Sequence, residues 1–131
     1  MRLRVSGKSF AVREFLLSSS LEPCVVFDGV NNKGGLSKTF GFNVTISEAE
    51  FDNLESQILD AVSFLKREHQ ELKRLVNFAA TDGVSIDFPI ASPSEEIVVW
   101  TRSFPPELLG LLGSLRIRLD FTIYPESYEE C

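Results

Sequence analysis

His69 is the only histidine in the chain, so any chemistry built on imidazole must run through that one ring. A nucleophilic triad would need a hydroxyl or thiol and an acid that the sequence does not place beside it. A two-histidine metal site has no second histidine to use. His69 falls on an apolar stripe between Leu65 and Leu72, where a partly buried helix residue is expected. The loop Gly29-Val-Asn-Asn-Lys-Gly-Gly-Leu-Ser-Lys38 invites comparison with a phosphate cradle. That motif closes with Gly-Lys-Ser/Thr and opens a helix. Here Gly34 is followed by Gly35 and Leu36, and a strand pattern comes next. The carboxylate pairs Glu95-Glu96 and Glu129-Glu130 read as solvated turn and tail residues. Neither gives two acids in contrasting environments, which acid–base catalysis requires. Cys24 and Cys131 lack metal-ligand neighbours at useful spacing, and Cys24 is expected to pack within an apolar strand. The residues therefore point away from an enzyme and imply no cofactor and no metal.

Composition narrows the class. The 131 residues are 44% hydrophobic, include eleven phenylalanines and carry a net charge of −6. That suffices for one cored domain, taken as 1–125, with 126–131 as an acidic C-terminal tail. An acidic chain without a basic patch is a poor nucleic-acid binder. The apolar run Leu108–Leu115 is interrupted by Gly110 and Gly113 and is too short for a bilayer. No apolar leader follows Arg2 and Arg4, so a cytoplasmic location is expected. Acidic surfaces favour solubility and speed encounter with basic partners.

The elements that would position a site can be read from periodicity. Leu3–Gly29 and Ile97–Ile123 align without gaps, with Val5, Ser9, Phe10, Leu17, Ser20, Leu21 and Phe27 meeting Val99, Ser103, Phe104, Leu111, Ser114, Leu115 and Phe121. Each copy reads as strand, short helix, strand. Lys38–Ile46 and Val84–Ile90 alternate with period two, as half-buried strands do. Ser47 and Glu50 form a capping-box pattern, with Ile46 and Phe51 spaced as a hydrophobic staple. Phe51, Leu54, Ile58, Val62, Leu65, Leu72 and Val76 then trace one face of a long helix. Pro105 suits the first turn of a third helix and Gly113 its C-terminal cap. The expected fold is an α+β two-layer sandwich of successive βαβ units. It has about six strands in a mixed sheet, three helices on one face and a ferredoxin-like core. Ile97–Arg102 is one of those strands and hairpins with Val84–Ile90.

If helices cover one face, the other presents Arg4, Thr39, Asn43, Asp87, Trp100, Arg102, Arg118, Asp120, Thr122 and Tyr124. Trp, Tyr and Arg are the types enriched in binding hot spots. The partner-binding candidates are therefore Trp100, Arg102, Arg118, Asp120 and Tyr124. Three fragments carry a resemblance: Leu3-Arg4-Val5-Ser6-Gly7, the long helix with Phe64-Leu65 and Leu72, and Pro106-Glu107-Leu108-Leu109 through Leu119-Asp120-Phe121-Thr122-Ile123-Tyr124. Together they resemble a domain-of-unknown-function family of small bacterial proteins. Members often place a Trp in the strand before the long helix, where this chain has Gly41-Phe42-Asn43-Val44. The resemblance brings no catalytic residues. By analogy with other small acidic bacterial proteins it implies a non-enzymatic immunity protein that neutralises a basic toxin. The rival expectation is a small-ligand-sensing regulatory module with its ligand between the repeated units. Sheet edges would also allow pairing into a homodimer.

Overall fold

The computed structural model describes residues 1–9, 11–30, 36–93, 96 and 99–125. Among them, five strands form one mixed sheet in the order β2-β3-β1-β4-β5. β1 (Arg2–Gly7) lies at its centre, antiparallel to β3 (Leu36–Thr45) on one side and β4 (Thr81–Ala91) on the other. β2 (Val25–Val30) is antiparallel to β3, and β5 (Arg118–Tyr124) is parallel to β4. The pleat sends Leu3 and Val5 to one face and Arg2, Arg4 and Ser6 to the other. Register aligns Leu3 with Val44 and Ile86, and Val5 with Phe42 and Val84.

Four helices pack against that apolar face. They are α1 (Ala11–Glu14), continued by a 3-10 turn at Phe15–Ser18, then α2 (Leu54–Arg67), α3 (His69–Val76) and α4 (Pro106–Leu115). Val12, Phe15, Leu54, Leu65, Leu72, Leu75, Leu108 and Leu112 close one core over the sheet. Close approach sets Gly41 in β3: at φ 152°, a Cβ there would lie 1.9 Å from the Val5 carbonyl oxygen.

Several expectations are corrected. Val99–Arg102 is not a strand, so the sheet has five strands among the described residues and not six. β5 takes the place beside β4, and a parallel neighbour needs the crossover that α4 supplies. The long helix is two helices, giving four in all. At Glu68 the backbone leaves helical dihedrals (φ −100°, ψ 18°), and the Ser20 hydroxyl donates to its carboxylate at 2.8 Å. Ser47 does not cap a helix. Ile46 and Ser47 donate backbone N–H groups to the Met1 carbonyl at 3.0 and 3.4 Å, which holds them beside β1. The Ser47 hydroxyl instead donates to Asp60, and Asn53 caps α2 by accepting from Ser56 N at 3.2 Å. Phe51 lies in a turn before α2 and stacks on Tyr124, with ring centroids 5.1 Å apart. Gly113 lies inside α4. Arg116 takes the left-handed position (φ 59°, ψ 37°) that ends the helix, with Arg116 N donating to Gly113 O and Ile117 N to Leu112 O. Cys24 is exposed just before β2, its thiol donating to the Asn43 carbonyl at 3.4 Å.

The internal repeat survives only in its second half. Leu21 and Leu115 are both buried, and Phe27 and Phe121 both sit on edge strands. Val5 lies in the central strand, whereas Val99 is 84% exposed outside any strand. Phe10, Ile97 and Val98 lie outside the described residues, as do Glu95, residues 31–35 of the glycine-rich loop and the tail 126–131 with its Glu129-Glu130 and Cys131.

Candidate functional site

The face turned away from the core is polar and ordered by pairs. Arg4 lies across from Asn43 on β3 and Ser85 on β4; Asp87 and Asp120 lie side by side on β4 and β5. Asp87 is buried although no core covers it. Arg4 Nη2 sits 3.1 Å from its Oδ2, and the Thr122 hydroxyl donates to its Oδ1 at 2.8 Å. These two donors compensate the water that the buried carboxylate has lost. On the edge strand, Arg118 Nε donates to Asp120 Oδ1 at 3.0 Å, and Nη2 to Oδ2 at 3.2 Å. Asn43 and Ser85 are also buried. In the row Asn43, Arg4, Ser85, Arg118 across β3, β1, β4 and β5, the small Ser85 lies between the two arginines.

Two shallow grooves run over it. One, of about 480 Å³, is lined by Arg4, Ser6, Phe27, Asn43, Ser85 and Arg118 among others. The other, of about 160 Å³, is lined by Arg2, Arg4, Phe51, Asp87, Pro89 and Tyr124 together with Met1. The second exists because the chain between β3 and α2 wraps under the sheet. Ala91 N donates to Phe51 O at 3.1 Å, and the buried Gln57 side-chain amide donates to Glu50 O at 3.2 Å and Pro89 O at 2.9 Å.

The expected site is thus split. Arg118, Asp120 and Tyr124 share the uncovered face with Arg4, Asp87 and Thr122. Trp100 does not join them. It packs against the core cluster, as does Phe104, whose ring lies 5.2 Å from Phe88 and 6.4 Å from Phe121. Arg102 is exposed in the same irregular segment. Phe51 is the residue that sequence reasoning assigned elsewhere: its spacing fitted a helix stripe, and no pattern signalled the wrapped turn.

No known family model, curated protein or solved structure matches this chain. The uncovered face holds Arg2, Arg4 and Arg118 against Asp87 and Asp120, so it is close to electrically balanced. The acidity lies beside it. Between Lys38 and Lys66 there is no basic side chain, and Glu48, Glu50, Asp52, Glu55 and Asp60 are all exposed.

Elsewhere, His69 opens α3 and is half-buried. Among the described residues no three His, Cys, Asp or Glu side chains group to hold a metal ion, and no helix is long and apolar enough to cross a membrane. Burial raises the Glu71 carboxyl, but hydrogen bonds from Arg74 and Ser19 and the Arg74 charge outweigh it and hold the group below the usual range. Arg74 also stacks over Phe15 at 3.9 Å and donates to the Ser18 carbonyl at 3.1 Å, tying α3 to the 3-10 turn.

Proposed function

We propose that this chain is a non-enzymatic cytoplasmic protein-binding domain that recognises a basic protein partner. The recognition surface is the Phe51–Tyr124 end of the uncovered sheet face. The observation that carries this reading is the stacked aromatic pair, flanked by the exposed carboxylates of Glu48, Glu50 and Asp52. Aromatic anchors supply much of the binding energy at interfaces, and surrounding charge steers a partner of opposite sign toward them. A toxin-neutralising immunity protein is one role in which an acidic domain meets a basic partner. The fold belongs to the same reading. β1 to β4 interleave two βαβ units as a ferredoxin-like core, and α4 with β5 extends it.

The test is capture of the tagged chain from cells of its native source, followed by affinity measurements with the purified partner. Tyr124→Ala is expected to weaken binding by about 2 kcal/mol, as a hot-spot truncation does. Glu50→Lys with Asp52→Lys is expected to slow association and reduce its salt dependence. Unchanged affinity in both variants would remove this end of the face from the interface. A chain that captures no protein, yet melts higher with a small molecule, would establish the ligand-sensing alternative.

A further inference from the structure

β5 ends the sheet with its outer edge unpaired by any other described strand. Its apolar side chains alternate toward the helix-bearing face, yet Phe121 is 55% exposed and Ile123 is 49% exposed. Native edges are usually blunted by lysine, proline or a bulge. β5 carries no lysine or proline, its two charged residues Arg118 and Asp120 pair with each other on the uncovered face, and its register with β4 is unbroken. The opposite edge, β2, is blunted: its register with β3 shifts between Asp28 and Val30.

We infer that two copies of this chain pair through β5. The strands run antiparallel about a two-fold axis normal to the sheet, with Phe121 opposite Phe121 of the second copy. Such an axis requires one residue to face itself, so only a few registers exist. Centring on Asp120 would set two carboxylates face to face, which destabilises a strand pair. Centring on Phe121 engages all seven residues of the strand. On the helix-bearing face it places Leu119 opposite Ile123. On the uncovered face it places Asp120 opposite Thr122, and the Arg118 guanidinium opposite the Tyr124 ring, a favourable cation–aromatic pair. No like charges meet. The strand thus complements itself, which commits the edge to a second copy rather than to an unrelated strand. The two uncovered faces then join into one ten-stranded surface.

Sedimentation analysis of the full chain tests this directly. The chain is expected to dimerise, and Phe121→Lys and Ile123→Lys should each raise the dissociation constant at least about tenfold. Circular dichroism checks the fold; if Phe121→Lys fails to fold, Ile123→Lys decides. A chain bearing Cys24→Ser, Cys131→Ser and Phe121→Cys should form a disulfide-linked dimer on mild oxidation. A wild-type chain that stays monomeric to about 100 µM, where a dimer of micromolar dissociation constant would be almost fully formed, would overturn the proposal. So would dimers that survive the lysine variants, or that are dissolved by Val26→Lys on β2 instead.

Discussion

Replacing Asp87 removes the one buried charge on the uncovered sheet face among the described residues and separates what its two partners contribute. Asp87→Asn keeps an acceptor for the Thr122 hydroxyl but loses the ion pair with Arg4. Arg4 is half exposed, with its side chain at 50% relative accessibility. Solvent screens the pair, and its loss costs about 0.5–1 kcal/mol. Asp87→Ala also removes the 2.8 Å bond from Thr122, and a hydrogen bond to a charged acceptor adds about 1.5–2 kcal/mol. The alanine variant is therefore expected to lose about 2–3 kcal/mol, at the upper end of the usual range for a point mutant. Urea unfolding reads this as a lower midpoint at constant slope. Thr122→Val closes the cycle: its cost should largely vanish in the Asp87→Ala background, a coupling of about 1 kcal/mol or more. Equal losses for Asp87→Asn and Asp87→Ala would refute the division. The hydroxyl bond would then contribute nothing, and the face would be held by the arginine alone.

Two further outcomes follow from local geometry. Arg116→Gly relieves a left-handed residue at the end of α4 and should stabilise the chain by about 0.5–1 kcal/mol, measured by the same unfolding curves; a loss of stability would mean that the Arg116 side chain holds the helix end. The lowered Glu71 carboxyl contributes stability that is present above its ordinary value of 4.5 and lost as pH falls through the lower folded value. Glu71→Gln should therefore melt lower at pH 7 and show a shallower fall below about pH 4.5, with parallel pH profiles arguing against this account.

Much of the sheet was legible because alternation is a local signal. Lys38–Ile46 and Val84–Ile90 fall within β3 and β4 to within a few residues at their ends. Arg4, Asn43, Asp87, Thr122 and Tyr124 lie on the uncovered face as alternation requires. What failed depended on partners distant in sequence. The segment around Trp100 has strand-like composition, but β5 takes the position beside β4 that the segment was expected to fill. The stripe read from Phe51 to Val76 keeps its phase through Glu68, so periodicity could not reveal the break at which Ser20 reaches the helix. Ser47 and Glu50 satisfy a capping pattern, yet the Met1 carbonyl claims the backbone there first. Phe51 carries the aromatic character of a core residue, and only the wrapped turn carries it to Tyr124.

The central position of β1 bears on how the chain is made. Both of its neighbours are synthesised later: β3 starts at Leu36, and β4 is complete only at Ala91. During translation the strand that anchors the sheet emerges first and waits with both edges bare. Its pairing with β4 closes loops of about eighty residues, a pattern of non-local contacts that slows folding. A ribosome-bound or proteolytic fragment ending before Thr81 would carry Leu3 and Val5 on a strand lacking one of its partners. Such a fragment leaves that strand edge bare and is prone to aggregate.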